Sequence, residues 1–156
     1  MLWNVRLRAS PTQNLKITPH FSEPALALNP DHAVNTITLV FTPDSHAHTV
    51  WAIVARARSE HDVLTVDDVL RAVSTALFQR SMCPALSARG PHAAEIEHAR
   101  GVRAAPVHTG APHREEGCRN VDLYRADRGR ALYFRGLRAE RLRDGALVYV
   151  VRLEQA

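Results

Sequence analysis

The strongest constraint on the fold lies in "LTVDDVLRAVSTALF", residues 64 to 78. Val66, Val69, Leu70, Val73, Ala76 and Leu77 recur at spacings of three and four, which places them along one side of a helix, while Asp67, Asp68, Arg71, Ser74 and Thr75 fall away from that stripe. Thr65 supplies an N-cap hydroxyl, and two aspartates stand in the first turn, where the helix dipole favours negative charge. A stripe this apolar must rest on a partner layer. Asp68 and Arg71, three apart, are expected to form an exposed ion pair rather than a catalytic pair.

The flanking segments supply that layer. "NTITLVF" (35–41) and "HTVWAIVARA" (48–57) are rich in Thr, Val, Ile and aromatics and are separated by the turn-like "TPDSHA", so they are expected to pair as antiparallel strands. After the helix the chain is irregular as far as residue 120, apart from a second, thinner amphipathic helix at about 92–104 carrying Ala94, Ile96, Ala99 and Val102. Strand patterns then resume in "RNVDLYRA", "RALYFRGLRAERL" and "GALVYVVRLE", with turn signals ahead of Ala131 and at Asp144-Gly145, and with Gly136 placed for a bulge. Residues 1–35 hold four prolines and read as an extended arm, in which "LWNVRL" alternates like a short edge strand. The predicted fold is α+β: a single domain with a largely antiparallel sheet packed against two helices (about 65–79 and 92–104), an extended Pro-rich N-terminal arm, and a mobile loop at 105–117.

Composition narrows the function classes. At 156 residues the chain is long enough to bury a core without staples, and its two cysteines, Cys83 and Cys118, lack CxxC spacing, so reduced thiols in a cytoplasmic protein are expected. No apolar run approaches the length of a membrane span, and the N-terminus lacks the pattern of a secretory signal. The net charge of +4 arises after residue 99, where twelve Arg face seven carboxylates. Those arginines alternate with acidic residues and have few aromatic neighbours, a pattern that argues for a solvated face and against nucleic acid.

Candidate sites follow from residue chemistry. His46 and His48 in "HAH" have chelating spacing, with His20, His61, His108 or His113 as conceivable third ligands, yet nine histidines make such a pair expected by chance and no metal is anticipated. Cys118 beside Arg119, with His113 near in sequence, makes a conceivable Cys–His pair with a lowered thiol pKa, but a half-buried thiol at a strand start is the favoured reading. Asp122 alternates away from Val121 and Leu123 and, if buried, needs a partner such as Arg135. Trp51, Arg119 and Arg135 are the candidates for contact with a ligand or partner. There is no G-x-S-x-G, and "GAPHREEG" has neither P-loop spacing nor Lys, so no organic cofactor is expected.

The succession of "FSEPALALNP", "TVWAIVARA", "LTVDDVLRAV", "NVDLY" and "YFRGL" resembles a small domain abundant in mushroom-forming fungi and known as domain of unknown function 6699. Thr65, Val66, Asp68, Val69, Leu70 and Ala72 match that family's "TV-x-DVL-x-A" helix, Arg119, Val121 and Asp122 part of its "R-x-VD-x-L" strand, and Phe134, Gly136 and Leu137 its "F-x-GL" segment. The similarity runs over about residues 3 to 153, with Val50 before Trp51 where the family usually has Pro. It implies a fold and no activity. The reading is therefore a non-enzymatic binding or protein-interaction module, with a protein partner, a second copy of itself or a small ligand as its target. The alternative is a small cofactor-independent hydrolase or lyase using His, Cys and Asp side chains beside the 81–118 stretch.

Overall fold

The computed structural model describes residues 3–5, 22–26, 34–43, 50–59, 62–80, 93–104, 118–124 and 131–155. Strands β1 (Trp3–Asn4), β2 (Thr36–Phe41), β3 (Trp51–Arg56), β4 (Leu132–Arg141) and β5 (Leu147–Gln155) form one sheet in the order β1-β4-β5-β2-β3. Helices α1 (Val66–Phe78) and α2 (Ala93–Ala104) and a 3-10 turn (Asn120–Leu123) complete the elements among the described residues. The architecture is α+β as anticipated, but the sheet is mixed. β1–β4, β4–β5 and β2–β3 are antiparallel, whereas β2 and β5 run parallel at the centre, Leu39 opposite Tyr149. Adjacency in sequence dictates hairpins, but it is silent on how two hairpins join, and here the helical excursion between β3 and β4 brings β5 back beside β2 in the parallel sense.

Helix α1 forms for the reasons its sequence suggests, with one correction. Thr65 Oγ1 accepts the Asp68 backbone N–H at 3.3 Å, and the Asp68 carboxylate accepts the Thr65 N–H at 3.0 Å, a reciprocal capping box. Asp68 is thus buried at the cap rather than exposed beside Arg71, which pairs instead with Asp67 one turn away. Val69, Leu70, Val73, Ala76 and Leu77 are buried together with Ile37, Leu39, Phe41 and Ala55 of β2 and β3 and with Tyr149 and Val151 of β5. Trp3 and Val5 are fully buried as well, and the Trp3 ring lies 5.8 Å from that of Phe134.

Residues 120–123 depart from the expected strand. The Asp122 carboxylate accepts the Arg119 N–H at 2.8 Å, and the Tyr124 N–H reaches Val121 O, so the chain closes into a 3-10 turn. The period becomes three. Val121 and Tyr124 then share one side and join the main core, where period two would have paired Val121 with Leu123.

The β4–β5 hairpin behaves as its turn residues require. Gly145 adopts φ +87°, its N–H bonds Leu142 O at 2.9 Å, and the Asp144 carboxylate accepts the Ala146 N–H. Gly136, at φ +113°, marks a register shift between Phe134 and its neighbour: Phe134 faces Leu153, Gly136 faces Arg152 and Leu137 faces Val151. This bulge changes the parity of the strand. Without it, Gly136 and Arg138 would share the face of Phe134; with it, Leu137 and Ala139 do.

Candidate functional site

Cys118, Arg119 and Asp122 converge, and their geometry shows what they are engaged in. Helix α2 buries Ile96 and Ala99, and Arg103, next along the same side, directs a guanidinium that is 4% exposed onto the fully buried Asp122 carboxylate. Arg103 Nε donates to Oδ1 at 2.8 Å and Nη2 to Oδ2 at 3.0 Å, a bidentate fork. The partner anticipated for Asp122, Arg135, lies elsewhere and pairs with Glu154 at 2.7 Å on the surface. Alternation along a presumed strand suggested Arg135; the 3-10 turn directs the carboxylate toward α2 instead.

Arg119 and Asn120 close the C-terminal end of α1. Arg119 Nη1 donates to Phe78 O at 3.2 Å, Asn120 Nδ2 to Ala76 O at 2.8 Å, and the Asn120 N–H to Gln79 O at 3.1 Å. These carbonyls belong to a helix end with no basic residue of its own, so a cation from a distant segment meets the negative pole of the dipole.

The Cys118 thiol is half-buried, and its surroundings act against the activation that Arg119 and His113 would supply. Burial first, then the adjacent Asp122 carboxylate, push its pKa from 9.0 up to about 12, and the weaker influence of Arg103 and Arg100 does not offset them. Sγ lies 3.6 Å from Arg119 O. His113, its proposed base, and His46, His48, His20, His61 and His108 lie outside the described residues. Among the described residues no group of three or more His, Cys, Asp or Glu is arranged to hold a metal ion.

Trp51 is half-buried and stacked on Phe41 with centroids 5.0 Å apart and rings parallel to within 1°, and it meets Tyr124 in a T-shaped arrangement at 6.3 Å. It is packing within the molecule rather than a free platform.

A different feature has the shape of a site. An apolar groove of about 430 Å³ runs between α1 and the β4–β5 hairpin. Its floor is Leu137, Ala139, Leu147 and Tyr149, one wall is Val66, Val69 and Leu70 of α1, and Ala25 and Leu26 close the side. Each part is positioned by a separate local device. The 22–26 segment is stitched to the start of α1 by Ala25 N–H to Leu64 O at 2.8 Å and Val66 N–H to Glu23 O at 3.0 Å. The floor exists because the Gly136 bulge turns Leu137 and Ala139 onto this face. Leu147 is left 46% exposed at the open end. Periodicity missed these residues because strict alternation from Phe134 assigns Leu137 to the other face; the glycine inside a strand pattern was the available signal. A second hollow of about 510 Å³ at the start of α1 is polar, and its carboxylates Asp67 and Asp68 are engaged by Arg58.

No helix among the described residues is long and apolar enough to cross a membrane. No curated protein and no solved structure matches the chain. A family model does: that of DUF6699, a family of unknown function, matches residues 1–145, and the chain belongs to that family.

Proposed function

We propose that this protein is a non-enzymatic binding module whose groove between α1 and the β4–β5 hairpin takes up the apolar part of a small ligand. The observation that carries the reading is the groove itself: about 430 Å³, lined almost wholly by aliphatic side chains, with the Tyr149 ring on its floor. That volume falls in the range of small-molecule sites, roughly 300 to 1,000 Å³. The polar residues that an enzyme would need speak for the same reading. Cys118 holds its proton at neutral pH, and the Asp122 carboxylate is engaged by Arg103 and the Arg119 N–H, so neither of these two side chains offers a cofactor-independent hydrolase or lyase a thiolate or an uncommitted acid.

The test uses an apolar dye, anilinonaphthalene sulfonate, whose emission rises in a dry site. Ala139→Glu places a carboxylate on the groove floor at an exposed position, so folding should be nearly unaffected, within about 1 kcal/mol. Saturable dye binding by the native protein that is lost in Ala139→Glu supports the reading. Binding of equal strength in both proteins, or no binding by either, overturns it.

A further inference from the structure

Strand β3 ends the sheet, and among the described residues no strand lies along its outer edge. The Ala57 N–H bonds Asn35 O at 2.8 Å, which sets the parity of the β2–β3 ladder. Stepping by two along the register, Ile37–Ala55, Leu39–Ile53 and Phe41–Trp51 are the hydrogen-bonded pairs. The N–H and C=O groups of Ala52, Val54 and Arg56 therefore point away from β2, as do those of Val50 just before the strand. Among the described residues nothing bonds these outward groups. Their side chains are exposed too, Val50 at 57% and Val54 at 51%.

Proteins blunt such edges with charges, prolines, bulges or a covering segment. Residues 50 to 55 read VWAIVA and contain none of the first two, the register with β2 is unbroken, and the first charge is Arg56. An edge whose alternating donors and acceptors have no partner among the described residues fits one kind of occupant, an extended strand.

We propose that β3 pairs antiparallel with β3 of a second copy of this chain, about a two-fold axis at Ile53, joining two five-stranded sheets into one. This register puts Ala52 opposite Val54 of the other copy and Val50 opposite its Arg56, so every outward N–H and C=O of the four residues finds a mate. It also resolves the charge. The two Arg56 side chains stand at opposite ends of the ribbon, roughly 20 Å apart at about 3.4 Å per residue, well beyond the Debye length of about 8 Å. Parallel pairing would set them side by side within about 5 Å. Aliphatic side chains meet along the shared face. A pairing of two short strands buries less than the area of about 1,000 Å² that stable interfaces reach, so the dimer is weak and concentration-dependent.

Sedimentation velocity from about 10 μM to about 1 mM, the range of weak association, tests this. Val54→Pro removes an outward N–H that the β2 ladder does not use, and Val54→Lys sets two cations close together across the axis, while Val54→Thr keeps the branched shape and the backbone donor. The native protein and Val54→Thr should shift toward twice the monomer mass with rising concentration, and Val54→Lys and Val54→Pro should remain monomeric with unchanged far-UV circular dichroism. If Val54→Pro fails to fold, Val54→Lys decides. A native protein that stays monomeric throughout, or a dimer that survives Val54→Lys, overturns the proposal.

Discussion

Replacing Asp122 by Ala tests whether the most enzyme-like residue of the chain is in fact a clamp. The carboxylate is fully buried and accepts three N–H groups, two from a guanidinium that is itself 4% exposed and one from the Arg119 backbone. Truncation takes this carboxylate away from the buried Arg103 cation, a loss of about 3 to 5 kcal/mol. Summing the three hydrogen bonds separately would give a larger figure, but they are not independent, and water entering the vacated space solvates part of the guanidinium. Since whole domains are stable by about 5 to 15 kcal/mol, the variant should be markedly sensitised to urea. A double-mutant cycle isolates the pair: Asp122→Asn retains an acceptor for the Arg119 N–H, Arg103→Met retains volume, and the double variant should be less destabilised than the sum of the singles by at least about 2 kcal/mol. Urea unfolding followed by circular dichroism reads each term. A cost below about 1 kcal/mol for Asp122→Ala, or a cycle additive within about 0.5 kcal/mol, would refute the clamp and return Asp122 to the list of functional acids.

Four further outcomes follow from the same geometry. Gly136→Ala should cost about 1 to 3 kcal/mol, because φ +113° is strained for any side chain although a Cβ there meets nothing within 4 Å; a neutral result in thermal unfolding would mean the bulge relaxes. Cys118 should alkylate at pH 8 at least about tenfold more slowly than a free thiol, measured by mass spectrometry of the labelled peptide. The folded state holds that thiol proton more tightly than the unfolded chain, so the stabilisation is complete below about pH 9 and is lost as pH rises toward about 12; Cys118→Ala should flatten that alkaline loss. Leu70→Ala, at a position 1% exposed in the core, should cost about 2 to 5 kcal/mol in denaturant, and an effect below about 1 kcal/mol would contradict the packing of α1 on the sheet.

Helix α1 was legible from its sequence almost to the residue, because its signals are local: an N-cap, two first-turn aspartates and a stripe with a period of 3.6 residues. The same holds for β2, β3, β4 and β5 and for the Asp144-Gly145 turn, where each residue type meets a requirement set by its immediate neighbours. At residues 120–123 locality failed. Val121 and Leu123 are apolar in strand and turn alike, so alternation could not distinguish period two from period three, and the choice fell to a carboxylate capping its own turn while meeting Arg103, 19 residues back.

The candidate sites divide along the same line. Cys118, Arg119 and Asp122 were each singled out by their chemistry, but neither their convergence nor what they do was legible, since the sign of the thiol pKa shift depends on burial and on a carboxylate whose direction only the turn determines. The groove was out of reach, because its floor, wall and side come from three segments separated by long stretches of chain, and a single bulge decides which side chains form the floor. Outside residues 120–123, sequence by itself determined the described helices and strands, their polarity and their turns, all set by contacts within a few residues. Tertiary structure alone decided the parallel β2–β5 junction, the Arg103–Asp122 clamp, the groove and the bare β3 edge, because each depends on which distant backbone lies alongside, and no local propensity encodes that.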